Sequence, residues 1–277
     1  MPALIKPEGS SHWYTRDGQP CYEVPCKSKP GEMRATSLRD ARTMDLLPSV
    51  TSILSIKAKP GLEAWKQEQI FLAAQTLERL PDESDLQWVR RVTDDAFTQS
   101  RQAAGLGSAG HKAIKMWIKS RGRTKVNTID GFDVEDILDT FITWYKSNVG
   151  RAIASELPFA CVVGYGGCTD FIWQPKALPL VVVTDFKTKA TKPKEKIKPY
   201  SEWGMQLAAY GVGVDGMPGI PDVNFRLQNV VISTTEPGRS EVFDWTAESR
   251  ELFDDFQACQ QLWCREKKYW PQRKETD

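Results

Sequence analysis

The chain has 277 residues, with 37 Lys+Arg against 36 Asp+Glu, a formal net charge of +1 and 40% hydrophobic residues. That composition excludes a disordered, collagen-like or disulfide-dense polypeptide. It also gives no global electrostatic pull toward nucleic acid or membrane, so a surface for a polyanion must arise from local segregation of charge.

The longest apolar run, Leu178 to Val183, is broken by Pro179 and falls far short of the roughly 18 to 20 residues that a membrane span needs. With no apolar stretch and cleavage site at the amino terminus, the reading is a cytoplasmic protein without a membrane partner. Six cysteines include two C-x4-C pairs, Cys21/Cys26 and Cys259/Cys264, but no C-x-x-C. Free thiols are expected in a reducing compartment, with an iron–sulfur or zinc cluster joining the two ends as the alternative.

Residues 1–46 read as a polar, turn-rich extension. Asp17-Gly18, between Trp13-Tyr14 and Tyr22-Glu23-Val24, predicts a hairpin. A helix is expected over 61–80, with Leu62, Trp65, Ile70, Ala73 and Leu77 on one stripe and Pro81 ending it. A second follows over 86–97. A third begins near Ser108 after a Gly-rich approach and carries His111, with Ile114, Trp117 and Ile118 as its apolar stripe. A fourth spans 133–147 with Asp133 as N-cap.

After Glu156 the character changes. FACVVGYGG, CTDFIWQ and LPLVVVTDFKT read as strands, 200–212 as a helix, 225–234 as a strand and 246–270 as a terminal helix. This order predicts an α/β fold, a mixed central β-sheet flanked by helices behind a mostly helical N-terminal half. The whole of 47–277 forms one domain, with a helical part over about 47–155 and a core over about 156–270.

Side chains alternate along a strand, so Asp185 and Lys187 share a face while Phe186 points away. If the preceding hairpin is centred between Ala177 and Leu178, Asp170 lies opposite Asp185, about 5 Å away at the α-carbons. Two carboxylates that close are unfavourable unless a cation lies between them. Such a pair suits Mg²⁺ or Mn²⁺, and a lysine one step away can orient or deprotonate a water and stabilise developing negative charge, the parts that phosphodiester hydrolysis needs. For an isolated D-x-K, solvated groups at a strand end are the ordinary reading.

The surroundings of the motif resemble the PD-(D/E)XK nuclease superfamily: an acid on one strand (Asp170), a hairpin, then Asp185-x-Lys187, with Glu156 matching the helical glutamate of that core. Gln206 and Tyr210 resemble the Q-x-x-x-Y signature of the RecB-like branch, and Gly107 to His111 its G-x-x-x-H segment. Pro48 to Leu54 with Trp65-Lys66 is similar to the P-S-V-T-x-x-L and W-K segment of the mitochondrial genome-maintenance exonucleases, a relation that extends to phage-type exonucleases. Thr169 stands where the superfamily has proline, and the cysteine triad of the iron–sulfur branch is missing.

The resemblance implies a restriction-endonuclease-like core and a metal-dependent DNA exonuclease, acting on single-stranded DNA or DNA ends in replication, repair or recombination. A structure-specific or nonspecific endonuclease of the same fold, or a non-catalytic DNA-binding module, is the alternative. It implies metal ligation by Asp170, Asp185, His111 and the carbonyl of Phe186. Glu156 would hold a second metal or position its water, unless it is a surface acid. Lys187 would be the catalytic cation, with Gln206 and Tyr210 positioning it or the scissile phosphate.

Positive charge for DNA is concentrated beside these residues, at Lys189, Lys192 and Lys194 and at Lys112 and Lys115. The acidic run Asp130 to Asp139 is expected to face elsewhere. Trp173 and Trp203 are the candidates for stacking unpaired bases.

Overall fold

The computed structural model describes residues 12–176, 178–221 and 225–271. The first eleven residues, on which part of the reading of the amino terminus rests, lie outside them. The amino-terminal segment contributes strands β1 (Trp13–Tyr14), β2 (Glu23–Pro25) and β3 (Met33–Ala35), helix α1 (Leu38–Met44), strand β4 (Leu47–Pro48) and the short helix α2 (Val50–Leu54). Asp17-Gly18 does turn the chain, with Gly18 at φ 86°. Tyr14 and Pro20 bridge antiparallel across this turn, and the Cys21 N–H donates to the Trp13 carbonyl at 2.8 Å, but the longer pairing is made elsewhere: β1 pairs with β4, and β2 with β3. Ladders this short do not hold themselves. β1 is fixed by burial of Trp13, whose ring lies 6.1 Å from Trp263 and 6.0 Å from Tyr269.

Helices α3 (Pro60–Thr76), α4 (Asp85–Ala96) and α5 (Thr98–Lys119) follow, then strands β5 (Thr128–Ile129) and β6 (Phe132–Asp133) and helix α6 (Glu135–Asn148). α3 stops at Thr76 rather than at Pro81, and of its expected stripe only Ala73 is buried. It packs on α4 through a small satellite cluster of Ala73, Val92 and Ala96, outside the main cores.

α5 is continuous through the Gly-rich stretch instead of starting near Ser108. Glycine costs helix stability, about 1 kcal/mol each relative to alanine, but a Cβ at Gly107 would come within 2.8 Å of Thr188 Oγ1. The glycine lets the helix cross the end of a strand at backbone distance. Asp133 is not the N-cap of α6. It ends β6 and accepts a hydrogen bond from the Glu135 N–H at 3.0 Å.

The second half holds β7 (Val149–Cys161), β8 (Tyr165–Pro175), β9 (Val181–Lys189), α7 (Ser201–Val214), β10 (Phe225–Ser233), β11 (Ser240–Asp244) and α8 (Ser249–Lys267). The five strands form one sheet in the order β11-β10-β9-β8-β7, with β9 and β10 parallel and the other pairs antiparallel. α7 makes the crossover that the parallel pair requires. The protein therefore has a mixed α/β architecture, a central mixed sheet flanked by helices with a mostly helical N-terminal half. β11 was not legible in the sequence, and β7 starts at Val149, ahead of the expected boundary.

Alternation along the strands builds a core on each face of the sheet. Ile172, Val181, Val183 and Leu227 pack with α2, α7 and α8, whereas Phe171, Trp173, Val182, Phe186 and Val230 pack with α5 and α6. Among the described residues no helix is long and apolar enough to cross a membrane.

α7 lies close enough to the sheet that a Cβ on Gly213 would overlap the Phe159 ring. Gly213→Val is expected to lower stability by about 3 kcal/mol through overpacking, read from the urea midpoint and Tm. An unchanged midpoint would mean that α7 does not approach β7 this closely.

Candidate functional site

β9 is buried from Val181 to Phe186 and becomes partly exposed at Lys187. Asp185 and Lys187 follow Val183 onto the α7 side, and Phe186 joins Val182 in the opposite core. There α7 presents Gln206. Its Nε2 donates to Asp185 Oδ1 at 3.0 Å and to the Tyr210 hydroxyl at 2.8 Å, while its Oε1 accepts from Lys187 Nζ at 3.1 Å. Lys187 Nζ also lies 2.8 Å from Asp185 Oδ2. Tyr210 reaches Lys187 only through Gln206.

β10 adds a partner that sequence reasoning missed. Asn229 is level with Asp185 in the parallel ladder and fully buried. Its Nδ2 donates to Asp185 Oδ2 at 2.7 Å and to the Asp185 carbonyl at 3.1 Å, and its Oδ1 accepts from Trp245 Nε1 at 2.8 Å. The available signal was the pair of amides Gln228 and Asn229 between the apolar residues of β10, since a buried amide requires partners. Which partners it has depends on strand order.

Asp170 is one residue beyond the last β8–β9 pair. The pairs Phe171–Thr184, Ile172–Val183 and Trp173–Val182 follow the expected register. The Asp170 carboxylate then replaces a backbone acceptor: its Oδ2 accepts from the Phe186 N–H at 2.8 Å, with His111 Nδ1 3.4 Å from the same oxygen.

Glu156 lies inside β7, not in a helix as the resemblance implied. It falls between the pairs Ser155–Phe171 and Leu157–Thr169, level with Asp170, at φ 53°. A left-handed non-glycine residue costs about 1–2 kcal/mol, and such strain concentrates at functional sites. Its carboxylate bonds Lys115 Nζ at 3.0 Å. Glu156, Asp170, Asp185 and Asn229 thus occupy one row across four adjacent strands.

Burial pushes the Asp170 carboxyl up to about 6; His111, Lys187 and the Phe186 N–H act against that rise, and the Asp185 charge adds to it. Burial works to lower the Lys187 ammonium, but the Asp185 charge and hydrogen bond outweigh it and hold Lys187 above its ordinary value. Burial keeps the Tyr210 hydroxyl well above its usual range.

Two carboxylates and an imidazole are a donor set that fits a hard divalent cation. Both Asp185 oxygens already accept hydrogen bonds, however, and among the described residues no three His, Cys, Asp or Glu side chains converge as a metal-holding group.

Two clefts meet at this centre. One of about 600 Å³ opens between α2–α3 and α7, lined by Lys57, Lys59, Lys66, Trp203 and Gln206. The other, of about 900 Å³, is lined by His12, Gly107, His111, Lys112, Lys115 and Glu156. Thr51 and Lys187 border both. Of these lining residues, His12, Lys57 and Lys59 were not expected from the sequence.

Trp203 stands in the first cleft, but Trp173 is unavailable to a base. It is buried, its Nε1 donates to Thr184 Oγ1 at 2.8 Å, and its ring lies edge-on to Trp144. The acidic run does not face elsewhere. Asp130 pairs with Lys112 at 3.1 Å, and Glu135 and Asp139 pair with Lys125. Lys189 and Lys192 line a separate cleft beyond β9. The six cysteines are free thiols.

Because the Asp170 pKa is raised above its unfolded value, the acid costs stability above about pH 6, and the cost vanishes as pH falls through the unfolded value near 4. Asp170→Asn is expected to stabilise the metal-free protein by about 2 kcal/mol at pH 8 and to leave it unchanged near pH 4. Urea unfolding at the two pH values measures this, and destabilisation at pH 8 would refute it.

The chain matches no protein-family model and no curated protein. One solved structure, titled "Crystal structure of SSO0001", aligns over 72% of this chain and 86% of its own at 11% identity, with a TM-score of 0.28. A superposition that poor carries no argument about fold or function.

Proposed function

We propose that the protein is a metal-dependent DNA exonuclease with a restriction-endonuclease-like core of the PD-(D/E)XK, RecB-like type. It hydrolyses phosphodiester bonds in single-stranded DNA or at DNA ends with Mg²⁺ or Mn²⁺. The observation that carries this reading is the row of Glu156, Asp170 and Asp185 across three strands, with Lys187 fixed beside it where two clefts meet.

Asp170, Asp185 and His111 would hold the cation, with the Phe186 carbonyl next to them. When bound, such an ion polarises the phosphate and lowers the pKa of a water. Lys187 stays an ammonium, so its part is to stabilise negative charge developing on the phosphate rather than to take a proton. Gln206 holds both Lys187 and Asp185, and Tyr210 holds Gln206. Glu156, held by Lys115, is placed to position the attacking water or a second cation.

In the first cleft Lys59 and Lys66 are paired with Glu202 and Glu63, so Lys57 offers the contact to a phosphate, and Trp203 offers a face to an unpaired base. A strand end entering by one cleft and leaving by the other would pass Lys187 and Thr51, which favours an exonuclease over an endonuclease.

With Mg²⁺ or Mn²⁺, end-labelled linear single-stranded DNA is expected to shorten while circular single strands persist, and EDTA is expected to stop the reaction. Equal cutting of circles would make the protein an endonuclease. Lys187→Met is expected to lower kcat by about 10²–10³-fold with DNA binding retained. Full activity in Lys187→Met or Asp185→Ala would refute the proposed centre.

A further inference from the structure

The two lysine-rich regions differ in a way that the sequence did not show. On the α5 side, Lys112, Lys115 and Lys125 each face a carboxylate within 3.4 Å. At the end of β9 and in the loop after it, among the described residues, no ion pair reaches Lys189, Lys192, Lys194, Lys196 or Lys198. Lys189 Nζ instead contacts the Lys198 carbonyl at 3.4 Å and stands 4.9 Å from the Tyr200 ring centroid.

The loop is also braced. Arg239 donates from Nη1 to the Lys192 carbonyl at 3.1 Å and from Nη2 to the Glu195 carbonyl. The same guanidinium pairs with Glu236 and Glu241. Thr191 is tied to Ser233 at 2.6 Å, and its N–H donates to Thr235 Oγ1 at 2.9 Å. Ile197 is buried beneath the loop. The result is a cleft of about 350 Å³ lined by Lys189, Lys192, Lys196, Lys198 and Tyr200 together with one acid, Glu195, held from below by contacts to the backbone that leave the lysines without ion pairs among the described residues.

A solvated charge run needs no such scaffold. Holding like charges together on a rigid frame costs energy, and phosphate oxygens would return it. Lys189 lies two residues along β9 from Lys187, about 7 Å away and on the same face. We infer that the 189–200 loop is a second anion-binding site, separate from the scissile position, that takes backbone phosphates of the strand whose reacting phosphate lies at Lys187. This rests on the nuclease reading for the identity of the strand, whereas binding by the loop stands or falls by itself.

The test is fluorescence anisotropy of a labelled 12-nucleotide oligothymidylate in EDTA, over a salt series. Lys192→Ala/Lys196→Ala is expected to weaken binding about ten-fold and to reduce the slope of log K against log salt by about 1.4, two single-strand phosphate contacts. Lys29→Ala/Lys146→Ala, remote from the clefts, controls for net charge and is expected to match the wild type. An unchanged slope in the loop variant, an equal loss in the control, or no binding by the wild type would overturn the inference. Inorganic tripolyphosphate is expected to compete no better than its ionic strength dictates, and displacement of the oligonucleotide at equal concentration would overturn the assignment to a strand. Hydrolysis of bis(p-nitrophenyl) phosphate, too small to reach the loop, reads the nuclease centre alone, so failure there sinks the proposed function without touching the binding result.

Discussion

The Asp185 carboxylate is the group around which this structure is arranged. It is 3% exposed, and an ionised carboxylate at that depth is tolerated only when its oxygens are satisfied. Three donors meet that need, each from a different direction: Lys187 from the same strand, Gln206 from the crossover helix and Asn229 from the parallel neighbour. Each donor is itself held, Lys187 by Gln206, Gln206 by Tyr210 and Asn229 by Trp245. The arrangement therefore fixes how α7 and β10 sit against β9, and the chemistry of the end of β9 is inseparable from the packing of the sheet.

The acids beside it are less well compensated. Asp170 lies at the point where β8 and β9 part, and Glu156 occupies a strained backbone position in β7. A protein gains no stability from either feature. Close like charge and backbone strain are tolerated where they serve a site, and here both lie in the row that contains Asp185. The helical half closes over that row. α5 brings His111 to Asp170 because Gly107 permits the helix to touch Thr188, and α2 brings Thr51 to the other side of Lys187. The clefts are consequences of these close approaches, with walls from segments far apart in sequence.

Charge is partitioned by pairing more than by composition. The net charge of +1 conceals two lysine-rich regions, but the acidic stretch Asp130 to Asp139 folds back onto one of them. Beside the other, Arg239 pairs with Glu236 and Glu241. Among the described residues, Lys112, Lys115 and Lys125 are paired on the first and Lys119 is not, whereas on the second no ion pair reaches a lysine, so a count of lysines overstates the first.

Local rules reached much of the core and part of the site. Alternation along VVVTDFK put Asp185 and Lys187 on one face and Phe186 on the other. The hairpin length set the register that leaves Asp170 beside Asp185, and the i, i+4 spacing placed Gln206 and Tyr210 on one face of a helix. These are near-neighbour properties, set by the period of the backbone and the length of a turn. The continuity of α5 through its glycines, the left-handed Glu156 within a strand, the burial of Trp173, the Asn229 contact and the pairing of Lys112 with Asp130 were decided by tertiary structure. Each depends on which distant segment comes to rest alongside, and a glycine, an amide or a lysine carries no local mark of the partner that long-range packing will bring to it.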